Sequence, residues 1–459
     1  MSRRAALAGL ALLAGCSSGT ATIAVPSPSA SAPTPVATAA PGGLRLGTDW
    51  TTYGGDAARS SAVPAGPDPA GPRISWKAPL DGRVYASPLV VGGTVVAATE
   101  NGSLYALAGG TGQILWRRHL ADPVRGSDLP CGNLDPLGIT GTPVYDSATG
   151  LVFAVAAAPG VHHVLYGVDV RTGEVRLSRG VDVPGMAPET HLQRAALLLS
   201  GTTVYLAYGG NYGDCGQYVG RVVGAPTTGT GALRSFAVPT RREGGVWAAS
   251  GPALLPGGDL LVTTGNGAAQ GGSWDHSDSV LRLSSTLALL DGFAPRQWAA
   301  ENSADADLGS MGPLLVPGGR QVLAAGKGGN VFLLDVARLG GVGGETASLS
   351  GCSAFGGGAV AGDLAYLPCD DGVLQVRVHG GRLLRGWHAD AVGSPLLVGH
   401  TVWVVQQDGT LAGLDAATGR RRVALAVGPA TRFAKPAVSG NALLLPTTSG
   451  ITAVQLTTP

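Results

Sequence analysis

Residues 87–116 read SPLVVGGTVVAATENGSLYALAGGTGQILW. Four short apolar runs are separated by Gly92-Gly93, Asn101-Gly102 and Thr111-Gly112. Such pairs tolerate the positive φ of tight hairpin turns, so the stretch predicts four antiparallel strands joined by three turns. The unit returns as SPLLVGHTVW from Ser394 to Trp403, followed by Gln407-Asp408-Gly409 and by LDAATG from Leu414 to Gly419. Looser copies run from Thr142 to Gly173 and open near Ala195, Gly251, Gly312 and Gly357, and a last one opens at Lys435. Their uneven spacing predicts eight units with insertions in some loops.

The eighth unit stops after its third strand, at Ile451–Leu456, while an unused strand, RISWKAP, precedes the first unit at residues 73–79. Trp76 stands in it where Trp116 stands in the first unit, and Trp298 and Trp387 hold similar late positions. The expected fold is therefore all-β: an eight-bladed β-propeller of four-stranded antiparallel blades, closed by the N-terminal strand. Such a ring leaves only short, protected sheet edges.

Composition sets limits on function. Basic and acidic residues number 31 and 30, which argues against a nucleic-acid surface, since that needs a basic stripe. Arg3 and Arg4 precede a short apolar run, Ala5–Ala14, and Leu13-Ala14-Gly15-Cys16 resembles a bacterial lipobox. Residues 1–15 are expected to be a lipoprotein signal peptide, Cys16 the acylated (palmitate-bearing) N-terminus, and 16–48 a tether rich in Ser, Thr, Ala and Pro. The propeller is expected over 49–459. Removing residues 1–15 takes away two arginines, leaving 29 basic against 30 acidic residues. The expected location is the extracytoplasmic side of the cell membrane, held by the N-terminal lipid.

The LYALAxxTGxxxW pattern over 104–116 resembles the tryptophan-docking repeat of pyrroloquinoline-quinone (PQQ)-dependent alcohol dehydrogenases and their non-enzymatic relatives. Asp49-Trp50 with Tyr53-Gly54-Gly55-Asp56 resembles the start of that domain, and Asp305–Ser310 with Gly326–Asp335 resembles an internal blade. The resemblance spans roughly residues 49–456 and is more specific for fold than for activity.

In such propellers, turns between the second and third strands share one face with the crossings between blades. The longer segments expected there are 121–141, 157–163, 209–217, 266–277 and 299–310, and long loops on a rigid scaffold are where function concentrates. Beyond Cys16 four cysteines remain, an even number that suits disulfides in an exported chain. Cys131 falls in the crossing from blade one to blade two, and Cys215 in the second-to-third-strand loop of blade three. Cys352 is expected to open the first strand of blade six and Cys369 to close its second. The sorting predicts Cys131–Cys215 and Cys352–Cys369. No C-x-x-C spacing suggests zinc.

The resemblance implies a quinone in the central funnel, a Ca²⁺ ion and an aspartate base. Matching positions are Asp305, Asp307 and Lys327 as catalytic candidates, Asn266, Trp247 and Lys327 for the cofactor, and Asn266 and Asp307 for the metal. Trp247 and Glu189 are funnel candidates by position. The family's vicinal cysteines have no counterpart, and neither a calcium-binding glutamate nor a haem-attachment motif is found. Structural roles compete at each site: a left-handed turn for Asn266, capping for the aspartates, a solvated turn for Lys327. His191 reads as a buried, hydrogen-bonded histidine, His162-His163 as a loop pair without a carboxylate partner, and Asp128 and Asp135 as lacking a calcium-loop pattern. The expected function is a cell-envelope lipoprotein acting as a non-catalytic binding or scaffold module through its long-loop face, with no cofactor and with an unidentified protein or small-ligand partner. The alternatives are a PQQ- and Ca²⁺-dependent alcohol or sugar dehydrogenase, and a small-ligand or carbohydrate-binding lipoprotein.

Overall fold

The computed structural model describes residues 44–66 and 71–457. The signal peptide, Cys16 and most of the expected tether lie outside them. Blade one is Leu89–Val91, Thr94–Ala98, Ser103–Ala108 and Ile114–His119, paired antiparallel in that order. The described residues build eight such blades. Inner strands such as Thr401–Val405 are buried at every residue, whereas the outer Arg421–Ala426 alternates between exposed and half-buried positions. The first kind packs on both faces between neighbouring blades; the second meets solvent on one face.

Arg73–Pro79 pairs antiparallel with Gly450–Gln455 and closes the ring as expected. Each interface is a core of two or more adjacent blades. Leu89, Val96, Ala98 and Leu104 of blade one meet Val152, Ala154, Ala156 and Val168 of blade two. Tryptophans lock successive blades. Trp76 Nε1 donates to Gly109 O, Trp116 Nε1 to Val170 O and Trp387 Nε1 to Ala416 O. Each indole covers a glycine of the next blade's turn: Gly112, Gly173 and Gly419, at φ of 74°, 70° and 74°. Trp298 departs from this pattern. It begins a short helix, Trp298–Ser303, in the crossing from blade four to blade five.

The innermost strands would leave an unpaired edge facing the axis. Residues 44–66 supply partners across it. Trp50 exchanges backbone bonds with Val90 of blade one, and Thr51 O accepts from Tyr145 N of blade two. Ala57, Ser60 and Ser61 carbonyls accept from Leu254, Val360 and Leu397 of blades four, six and seven. Arg59, buried, donates to the Leu197 and Pro252 carbonyls and to Thr52 Oγ1. Ala62–Val63 then adds a parallel strand to Leu396–Val398. The packed body therefore includes Leu44–Thr48, which the sequence reading assigned to the tether; Gly47 N and Thr48 O both bond Ser439 Oγ.

Two loop expectations change. Residues 157–163 are no long insertion, because the strands Leu151–Ala158 and His162–Asp169 leave only a tight turn. Cys352 does not open a strand. Blade six starts at Ala359–Ala361, and Cys352 lies in the preceding crossing.

Candidate functional site

Both disulfides sit on the long-loop face with the predicted pairing, Cys131–Cys215 with Cα atoms 6.1 Å apart and Cys352–Cys369 at 5.0 Å. The family-implied residues gather on that face. Lys327, in the turn after Gln321–Ala325, places Nζ 2.5 Å from Asp307 Oδ2 and 2.8 Å from Asp305 Oδ1. Asn266 donates its backbone N–H to Asp307 Oδ1 and its side-chain amide to Asp305 Oδ1. Gly265 leaves the room: a Cβ there would lie 2.1 Å from Asp307 Oδ1. The Trp247 ring closes the group, with Lys327 Nζ 5.8 Å from its centroid.

The electrostatics follow from burial and these contacts. Burial opposes the Asp305 carboxylate, but the Lys327 and Asn266 bonds outweigh it and hold its pKa below the usual range. Burial raises Asp307 in spite of Lys327. Lys327 loses hydration, yet the two carboxylates hold it charged. Asp278 accepts from Leu308 N through Oδ1, and burial together with nearby Asp307 pushes it up to about 8. Asp278 Oδ2 and Asn266 Oδ1 are buried acceptors without a donor.

A second group lies around the axis. The residue four positions before each blade's first strand forms an equivalent set: Tyr85, Thr140, Arg194, Ala249, Ser310, Phe355, Val392 and Phe433. Arg194 alone is charged. It crosses from blade three to blade eight, where its guanidinium lies 4.0 Å from the Phe433 ring centroid and 5.3 Å from that of Trp247. Arg432 stacks likewise on Phe355 at 4.0 Å. Glu100 Oε2 accepts from Gly138 N and Thr140 Oγ1, its Oε1 has no donor, and burial pushes the carboxyl up to about 7. A cavity of about 130 Å³ beside it is lined by Asp81, Arg83, Tyr85 and Asp135 among others.

These residues do not fit a calcium–quinone pair. The Lys327 ammonium already sits on Asp305 Oδ1 and Asp307 Oδ2, and Asn266 N–H occupies Asp307 Oδ1, so Asp307 offers no free oxygen and Asn266 Oδ1 is the unpaired buried one. Hard divalent cations need several such oxygens. No group of three or more His, Cys, Asp or Glu among the described residues is arranged to hold a metal. Over the Trp247 ring, where a planar ring system would stack, the chain places Arg194.

A sequence-family model described as outer membrane protein assembly factor BamB matches residues 67–207. The quinohemoprotein alcohol dehydrogenase of Comamonas testosteroni superposes with a TM-score of 0.67 at 15% identity, covering 90% of this chain and 81% of that one. A europium-containing methanol dehydrogenase gives 0.68 at 13% identity, covering 89% and 98%. BamB from Moraxella catarrhalis gives 0.55 at 15% identity, covering 85% and 100%. No curated protein matches the chain by sequence.

This chain is an eight-bladed β-propeller, and the family match lies over its residues 67–207. In this propeller several expected roles change. Asn266 is not among the residues with positive φ, whereas Asp305 is, at 53°. Lys327 is an ion-pair centre rather than a solvated turn residue. His162 and His163 do have a carboxylate partner, Asp182, at 3.2 and 2.8 Å. Glu189 is exposed, and its carbonyl accepts from Asn211 Nδ2. His191 is buried and bonded to the Ala187 and Val219 carbonyls, as expected. Asp128 pairs with Arg125, and Asp135 accepts from Gly126 N. Arg194, Arg432, Phe355, Phe433, Glu100 and Asp278 were missed by the motif reading. Aligning the repeats on their first strands would have exposed Arg194 as the lone charge in its column.

Proposed function

We propose that this propeller is an exported, lipid-anchored cell-envelope module that binds a partner protein on its long-loop face and carries out no chemistry. The observation that carries the reading is the platform pinned by Cys131–Cys215. Beside that bridge Tyr212 is 72% exposed, next to Leu129, Leu134 and Leu192. An exposed aromatic on a covalently fixed loop suits an interface anchor, because little entropy is lost on binding. Two disulfides suit an oxidising compartment. A photo-crosslinking residue at position 212 of the membrane-tethered protein should yield one discrete protein adduct. The same residue at position 384, exposed on the outer strand Arg382–Ala389, should not. Absence of an adduct at 212, or the same adducts from both positions, would overturn the proposal.

A dehydrogenase is the second reading, favoured by the gathering of Asn266, Asp305, Asp307 and Lys327. The expected result with added PQQ and Ca²⁺ is no alcohol-dependent dye reduction. Turnover that disappears in Asp307→Ala would establish this reading instead.

A further inference from the structure

Arg194 and Arg432 share an unusual situation. Each guanidinium lies on the face of a phenylalanine ring 4.0 Å away. Among the described residues, neither guanidinium donates a hydrogen bond or forms an ion pair, whereas the two lysines of this region are committed. Lys327 is held by two aspartates, and Lys435 is buried against the carbonyls of Gly357, Gly358 and Pro395. The carboxylate whose charge acts on Arg194 is Glu100, but its Oε2 takes Gly138 N and Thr140 Oγ1 and its Oε1 has no donor. Burial pushes Arg194 down only to about 10, so it stays charged at neutral pH.

A guanidinium with a covered face still offers its edge. That edge matches the two oxygens of a carboxylate. Phe355, Phe433 and Trp247 are half-buried, so apolar surface reaches the same opening. Glu100 acts on Arg194, and the Trp247 ring that Arg194 approaches to 5.3 Å is shared, at 5.8 Å, with the Lys327–Asp305–Asp307 group; these acids disfavour highly charged anions and favour a singly charged ligand with an apolar body. We propose that the axial funnel is a binding site for an apolar monocarboxylate, with Arg194 and Arg432 taking the carboxylate and Phe355 and Phe433 flanking its apolar part. None of these four residues belongs to the set that the family resemblance implied. The site goes beyond the partner platform at Tyr212 and does not depend on it.

The source of the carboxylate is a free small acid or the C-terminus of a peptide. Calorimetric titration of the whole protein with phenylacetate and with the peptide acetyl-Ala-Ala-Phe separates them. The peptide acid binding more tightly assigns the site to a chain terminus, and phenylacetate binding more tightly assigns it to a free acid. The matching amides, phenylacetamide and the C-terminally amidated peptide, are expected to give no saturable heat. Arg194→Gln and Arg432→Gln should each weaken the better acid about tenfold, or ~1.4 kcal/mol. Arg194→Lys should recover part of that loss. Equal binding of acid and amide by the unmodified protein, no saturable binding of either acid, or unchanged affinity in both glutamine variants would overturn the site. The acid–amide comparison needs no variant to fold, and retention of the position-212 adduct would show that the partner reading stands apart from such a failure.

Discussion

Lys327 is one of three lysines in the chain and the cation that makes two nearby carboxylates tolerable. Asp307 is almost fully buried, so removing its partner strands a charge that water cannot reach. Lys327→Met is expected to cost about 3 kcal/mol in urea denaturation, and the added change Asp307→Asn should return most of it. Glu100 and Asp278 make a different statement. Burial pushes them up to about 7 and about 8, above their unfolded values. The folded protein therefore holds more protons than the unfolded chain from roughly pH 4 up to those values. Stability falls as pH rises through that window and levels off above it. In Glu100→Gln the fall in denaturation midpoint between about pH 5 and about pH 8 should be visibly smaller.

Among the elements, the blade-locking turns carry the clearest consequence. Gly173 sits at φ 70° beneath Trp116, and a Cβ there would lie 2.8 Å from the indole. Gly150, at φ 73°, has nothing within 4 Å of the same added atom. Gly150→Ala should therefore show backbone strain alone, about 1 kcal/mol. Gly173→Ala should lose roughly 1–3 kcal/mol more, because the indole must move off the turn that accepts its hydrogen bond. Calorimetric melting of the two variants side by side checks this.

At the scale of the whole molecule, one borrowed strand closes the ring and two disulfides tie its loops. Deleting residues 44–79 removes both the axial segment and the partner of Gly450–Gln455. The exposed edges should drive self-association, visible as higher-order species in sedimentation. The disulfides differ in the chain they enclose, with sequence separations of 84 and 17. If loop-closure entropy dominates, replacing Cys131 and Cys215 by serine costs more than the same change at Cys352 and Cys369. The difference should be roughly 1–2 kcal/mol in guanidinium denaturation.

Blade number, ring closure through Trp76 and both disulfide pairings were legible because each rests on local turn chemistry repeated along the chain. A Gly-Gly or Asn-Gly pair fixes a hairpin whatever surrounds it, and blade order fixes which loops share a face. The candidate site was legible only as residue types at Asn266, Asp305, Asp307 and Lys327. Their states were not. Whether Lys327 faces solvent or two carboxylates, and whether His163 meets Asp182, depends on loops that belong to different strands or blades. Tertiary structure alone decided that Arg194 crosses the axis to Phe433 and takes the place over Trp247. A side chain's charge is written in the sequence, but its partner is chosen by the closed ring that brings distant crossings onto one axis.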